Sequence, residues 1–290
     1  MKTIDSKIER IRKPTLEFFQ KYIATSRQPV IITGATKNWL ACSLWTDDYL
    51  NDAIGNKKVP IFSSQHSSFM GEPENGTAKS IKPMRFRDFI HLLKLHRYSR
   101  DIYYYLIQFS LPQLSSKLFQ DIEFPVYCQN KLLQNYSCLL WLGSEGNITS
   151  LHYDMADNIL VQVRGRKRLV LFDPKQTDFL YPFPIDCQIP HTSQVDIDRP
   201  DLTRFPNFAK ARAIECVLEA GEMIFIPAFW WHQVYSLDDT QFPTISVNFW
   251  YKAPLSQLLT PPGRRYVTMR LWRKALQWRR KLKLKLKLKQ

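Results

Sequence analysis

The apolar positions of the first hundred residues change period twice. TLEFFQKYIATS and the stretch around 46–53 space them as helices do, and between these lies PVIITG, a short apolar run that reads as a buried strand ended by Gly34. VPIFSS is a further strand candidate, MGEPENGTAKS (70–80) has the composition of a loop, and MRFRDFIHLLKLH returns to helical spacing. From Asp101 the pattern becomes short runs rich in aromatic and β-branched residues, namely YYYLIQ, CLLWLG, NILVQVRG, KRLVLFDP, EMIFIPAFWWHQV and TISVNFWYK. Short strands separated by turn residues predict a sandwich or barrel. The chain therefore reads as mainly β with flanking helices: an α/β preface over 1–100, a β core over 101–255 and a basic C-terminal segment over 256–290.

Two stretches depart from this pattern. The Pro-rich segment from Asp173 to Ala213 is long and irregular, with helix expected only at its end; such insertions serve as lids, binding loops or elaborated surface. The last segment opens on a Pro-Pro-Gly break after LLT, continues as the expected helix VTMRLWRKALQWRRKL and ends in alternating Lys and Leu, expected to be disordered when free in solution. On a helix that alternation gives no one-sided face.

Composition adds a few constraints. With 44% hydrophobic and 23% charged residues in 290, the chain can bury a core and is not a disordered tail. Five cysteines without a Cys-x-x-Cys pair fit neither a disulfide framework nor a zinc knuckle, and a reducing, cytoplasmic setting is expected. No run approaches the ~18 to 20 apolar residues of a membrane span, and the N-terminus lacks a signal-peptide apolar segment. The net charge of +15 is misleading as a property of the core. Residues 264–290 hold 12 basic and no acidic residues, leaving 29 against 26, or +3, on the first 263. Such a tail suits RNA or anionic lipid through phosphate contacts, or is a solvated terminus; its helical part also suits a homodimer.

The chemistry concentrates in two motifs. A His-x-Asp triplet arises by chance often enough in a chain with six histidines and 17 aspartates that His152-Tyr153-Asp154 needs context. It follows a turn at Gly146-Asn147 and enters a strand, where residues two apart project from the same face. His232 lies in GEMIFIPAFWWHQV, a second strand segment that antiparallel folding would bring beside the first. Two neutral imidazoles and one carboxylate leave the other faces of a metal open, which suits non-haem Fe(II) oxygen chemistry, and a zinc hydrolase would need similar ligands. His66, His91, His96 and His191 are expected to be ordinary packed or surface residues. Asn158, Leu160 and Gln162 share one strand face, and Lys167 follows the Gly165 turn into the next strand.

TSLHYDMADNILVQVRGRKRLVLFDP, EAGEMIFIPAFWWHQV and SVNFWYK together resemble the JmjC/cupin-like Fe(II)- and 2-oxoglutarate-dependent dioxygenases, most of all their asparaginyl-hydroxylase and tRNA wybutosine-hydroxylase branches. The resemblance is densest over about 100–255, and PVIITGATKNWLA with the following Trp45 to Leu50 is similar to the family's N-terminal preface. It implies a double-stranded β-helix (jelly-roll) core, with Fe(II), 2-oxoglutarate and dioxygen as metal and cosubstrates. Carried over by position, it implies His152, Asp154 and His232 as iron ligands and Lys167 as the partner of the distal 2-oxoglutarate carboxylate. Thr149 and Tyr105 match hydroxyls on that carboxylate, with Tyr103 and Tyr104 close enough to compete for the phenol's role. Asn158 and Asn248 match amides near the chelating end, and Trp250 matches a wall of the pocket. The implied reaction is hydroxylation of a protein or peptide side chain; a modified tRNA base as substrate, and a non-catalytic cupin-type scaffold, stay open.

Overall fold

The computed structural model describes residues 2–3, 8–69, 80–128, 137–237 and 243–287; most of the expected loop over 70–80 and the last three residues lie outside these. A nine-stranded sheet runs in the order β2 (Arg10–Arg12), β3 (Val30–Thr33), β12 (Met223–Ile226), β9 (Asp157–Arg164), β14 (Thr244–Tyr251), β7 (Ser137–Gly143), β6 (Tyr103–Ser110), β4 (Lys58–Ser64) and β5 (Ser80–Arg85). A five-stranded sheet runs β1 (Lys2–Thr3), β11 (Arg212–Leu218), β10 (Lys167–Phe172), β13 (Trp231–Ser236) and β8 (Ile148–Tyr153). From β7 to β14 the chain contributes four strands to each sheet, passing repeatedly from one to the other, and these eight pair antiparallel. This is the jelly-roll, or double-stranded β-helix, that the strand pattern and the resemblance imply.

The preface extends the larger sheet at both ends. A helical run, Leu16–Phe18, Phe19–Ile23 and Ala24–Ser26, starts at Thr15, whose hydroxyl accepts the Phe18 amide at 3.1 Å, and stops at left-handed Arg27. Strand β3 then pairs with β12 and ends at Gly34, whose φ of 71° lies in the left-handed region that glycine enters most readily. Thr46 caps the helix Asp47–Ile54, and the helix Phe86–Ser99 buries Phe86, Phe89, Ile90 and Leu93.

Three apolar layers result, and strand alternation sorts residues among them. Leu160, Leu169, Leu171, Ile224 and Val234 meet between the sheets, whereas Ile159, Val161, Phe225, Val247 and Phe249 face outward under the preface helices. On the other side, Val170, Phe172 and Trp231 are covered by Leu180, Val195, Ile197, Phe205 and Phe208. The 173–213 segment is thus a packed layer, although only the short 3-10 turns Pro174–Phe179 and Pro206–Lys210 are regular within it.

Several expectations are corrected. Strands β5 and β11 fall where no strand is expected, and EMIFIPAFWWHQV divides into β12 and β13 around a turn with Phe229 at φ 68°. Pro-Pro-Gly is no break: Pro261 begins a helix that runs to Lys287, because Thr260 accepts the Gly263 amide on its hydroxyl and the Arg264 amide on its carbonyl. The Lys-Leu repeat, expected to be disordered, continues that helix as far as it is described. The cysteines are all free, and no helix among the described residues is long and apolar enough to cross a membrane.

Candidate active site

The two strands that carry the histidines are neighbours. β13 pairs antiparallel with β8, with His232 opposite His152. Between that pair and the next, Val234 opposite Thr149, β13 advances two residues while β8 advances three. The extra residue in β8 is a bulge, and it lets Thr149 and His152, three apart in sequence, both line the same cavity. Gln233 fills the gap left by the bulge, its side-chain oxygen accepting the Leu151 amide at 3.0 Å.

Asp154 follows the end of β8, and its backbone carbonyl accepts the Phe229 amide at 2.8 Å. Its carboxylate oxygens lie 3.9 Å from His152 Nε2 and 3.7 Å from His232 Nε2, and the ligand atoms of all three residues fall within 4.8 Å of one another. Each imidazole is oriented by a backbone carbonyl: His152 Nδ1 lies 2.8 Å from Ser150 O, and His232 Nδ1 lies 2.9 Å from Trp230 O. With Nδ1 donating, both Nε2 lone pairs point to the shared centre. Burial, followed by the neighbouring His232, holds the His152 pKa down to about 4, so its ring is neutral and able to ligate at neutral pH. Trp250 Nε1 donates to Asp154 Oδ2 at 3.1 Å, so this residue fixes the carboxylate as well as forming part of the cavity wall.

A cavity opens from this centre into the space between the sheets. Lys167 lines it, only 3% exposed, and its Nζ donates to the Tyr105 hydroxyl at 3.1 Å. Among the described residues no carboxylate pairs with this ammonium. A charge buried without a counterion costs several kcal/mol, about 3 or more, which makes Lys167 an anion-seeking group. Its neighbour Arg168 points outward to Glu215, so strand alternation separates one buried cation from a run of surface ones. Thr149 lines the same cavity, whereas the Tyr103 ring packs at a tilt against His96, centroids 4.8 Å apart, and Tyr105 is the phenol within reach of Lys167. Asn158 and Asn248 are joined across β9 and β14 by a 3.1 Å hydrogen bond from Asn248 Nδ2 to Asn158 Oδ1.

The cavity also has walls that sequence reasoning did not single out. Ser246 precedes Asn248 and Trp250 at strand period on β14, a signal that was available. Trp141 on β7 and Gln108 on β6 gave none. Gln108 reaches the lining because β6 bulges between Leu106 and Phe109 and takes a left-handed φ of 53°, which local sequence does not announce. His191, expected to be an ordinary packed residue, is outside the three-ligand group; its ring centroid lies 6.5 Å from that of His152, and its carbonyl accepts the Tyr153 amide. The irregular 173–213 segment thereby edges the site.

A deeper brace holds the same turn. Asp157, 2% exposed, accepts the Ala228 amide at 2.8 Å and a two-point contact from Arg27, whose own carbonyl accepts Trp230 Nε1 at 2.9 Å. The end of the first preface helix is therefore tied to the turn that presents His232.

Comparison with known proteins agrees with this architecture. Residues 15–257 match the model of the cupin-like domain family. The chain is 31% identical over 254 residues to lysine-specific demethylase 8 of Xenopus tropicalis, an alignment covering 85% of this chain and 53% of that protein. The Danio rerio protein of the same name is 35% identical over 257 residues, covering 84% and 58%. Human tRNA wybutosine-synthesizing protein 5 is 31% identical over 251 residues, covering 79% of this chain and 74% of its own. The chain thus spans little more than half the length of the demethylase relatives. On the domain match and these identities, the chain belongs to the cupin-like JmjC family of Fe(II)- and 2-oxoglutarate-dependent oxygenases.

Proposed function

We propose that this chain is an Fe(II)- and 2-oxoglutarate-dependent dioxygenase that hydroxylates a side chain of a protein or peptide. The observation that carries the reading is the pairing of a three-ligand His-Asp-His cluster with a buried, carboxylate-free lysine in one cavity. The residues fit both groups. Two neutral imidazoles and a carboxylate suit Fe(II) and leave coordination positions for a chelating keto acid and dioxygen. Lys167 pairs with Ser236 and Leu171 with His232 across β10 and β13, a four-residue offset of about 13 Å along the strand. That separation sets the cation and the metal cluster apart along one cavity, as a dicarboxylate held at both ends requires.

Bound Fe(II) with 2-oxoglutarate and dioxygen supplies the oxidising power to break an unactivated C–H bond, releasing succinate and carbon dioxide. Every other part of the task falls to the chain. His152, Asp154 and His232 hold the metal, with Trp250 and the Ser150 and Trp230 carbonyls fixing their orientation. Lys167, Tyr105 and Thr149 take the distal carboxylate, and Asn158 and Asn248 offer amides toward the chelating end. Trp141 Nε1, Ser246 Oγ and Asn248 Oδ1 are buried with no hydrogen-bond partner among the described residues, polar atoms that a bound cosubstrate or water would satisfy. Trp141 and Trp250 keep bulk water from the reacting centre. In this division of labour residues 101–255 form the catalytic unit, 1–100 support it and 256–290 are an appendage.

A modified tRNA base is the second reading, favoured by the similarity to the wybutosine-synthesizing protein over most of that protein's length. Removal of an N-methyl group, the activity named for the demethylase relatives, would begin with the same C–H oxidation at this site. The deciding experiment supplies the protein with Fe(II), 2-oxoglutarate and either a peptide pool or total tRNA, and follows succinate and the substrate mass. Peptide-dependent succinate with gain of one oxygen, absent in Asp154→Ala, is expected. Stimulation by tRNA alone would favour the base, loss of a one-carbon unit would favour demethylation, and no succinate with either would leave a binding scaffold.

A further inference from the structure

The terminal helix Pro261–Lys287 is anchored to the body of the protein at its start. Met269 is buried, Tyr266 lies 6.3 Å from Phe229 ring to ring, Arg265 donates to the Phe183 carbonyl, and Arg273 reaches the Cys187 carbonyl at 3.3 Å. From Leu271 onward the described side chains are almost all exposed. Leu271 is 62% exposed and Trp278 67%, and with Ala275 they stand at spacings of four and three, one stripe on the helix surface. Arg270, Arg273 and Lys274 are exposed around the rest of the circumference, and Leu255 and Leu259, 71% and 72% exposed, lie on the 3-10 turn that leads into the helix.

We propose that this helix lies in the surface of an anionic phospholipid bilayer, with Leu271 and Trp278 in the headgroup–acyl boundary and the basic side chains on lipid phosphates. An exposed apolar row flanked by cations is the pattern that gains from an interface that is apolar on one side and negatively charged on the other. A stretch with 12 basic and no acidic residues over 264–290 calls for an anionic partner, which sets it against a second copy of the same helix. Nucleic acid would satisfy the cations, but Leu271 has no face on which a base can stack, and phosphate contacts leave the apolar stripe in water. A bilayer answers both halves of the pattern.

The test is co-sedimentation of the full chain with vesicles of phosphatidylcholine alone or mixed with phosphatidylserine. Binding is expected only to the mixed vesicles and should weaken as salt is raised. Exchanging Lys274, Arg279 and Lys281 for Gln should lower partitioning on the order of 100-fold, and Leu271→Gln with Trp278→Gln should lower it roughly 10-fold or more. All five side chains are exposed, so an unchanged melting temperature is expected, and circular dichroism checks it. Equal binding to both vesicle types, no binding to either, tighter retention by bulk RNA that strips the protein from vesicles, or a dimer dissolved by Leu271→Gln would each overturn the proposal.

Discussion

At the scale of single residues the account rests on two side chains with unusual surroundings. Lys167 is a buried cation whose hydrogen-bond partner is a phenol, so its energetic balance closes only when an anion arrives. Lys167→Ala is expected to raise the 2-oxoglutarate concentration for half-maximal turnover on the order of 100-fold, as ~3 kcal/mol of charge pairing is lost, while metal affinity without cosubstrate stays unchanged; titration of both ligands checks it. Trp250 acts on the other end. Trp250→Phe keeps the wall but removes the donor to Asp154 Oδ2, and an outer hydrogen bond of this kind is worth about 10-fold or more in metal affinity. Fe(II) titration of the two proteins should show that loss. His152 and Asp154 were legible from their local His-x-Asp spacing, and His232 from the strand segment that carries it and the family resemblance. The packing of His191 beside His152 was not, because it comes through an irregular segment with no period to read.

At the scale of elements, bulges decide which residues see the cavity. The one in β8 puts Thr149 beside His152, and the one in β6 turns Gln108 toward the lining. Strand period gave Asn158 and Lys167 their faces, but a bulge shifts that period without a sequence mark, as Gln108 shows. Gly143 is a close contact between elements at the site: a Cβ there would overlap Asn147, the Tyr105 ring and the Tyr104 carbonyl, at 2.9 Å for the last. Gly143→Ala is therefore expected to displace Tyr105 from Lys167, raising the 2-oxoglutarate requirement together with a loss of stability of ~1–3 kcal/mol. Cosubstrate titration beside urea unfolding would measure both. Strand β11 escaped the sequence reading because RAIECVL mixes charge into a half-buried strand, whereas the buried β12 and the almost wholly buried β14 announce themselves as apolar runs.

At the scale of the whole molecule, the metal site and the stability of the fold share a titration. His152, His96 and His191 all have pKa values lowered by burial, to about 4 for His152. In the unfolded chain these rings take up protons near pH 6.5, while the folded protein resists doing so. The metal-free protein should therefore keep its full stability above about pH 6.5 and lose it progressively as pH falls toward about 4, with His152 alone accounting for about 3 kcal/mol. Thermal melts across that range check this, and His152→Gln should flatten the decline. Mainly β architecture was readable from the chain, but how the N-terminal strands join the larger sheet was not. Strands β2 to β5 complete the larger sheet, and Arg27 braces the turn before His232. Contacts between residues more than a hundred positions apart leave no local pattern.

The central claim is that one cavity holds Fe(II) and a keto-acid cosubstrate together. Anaerobic addition of Fe(II) and then 2-oxoglutarate to the metal-free protein tests it most directly, through the weak visible charge-transfer band of a keto acid chelated to Fe(II). The account predicts that band in the native protein, its loss in His232→Ala, and its recovery in Lys167→Ala only at much higher 2-oxoglutarate. Fe(II) binding without the band, or a band untouched by His232→Ala, would contradict it.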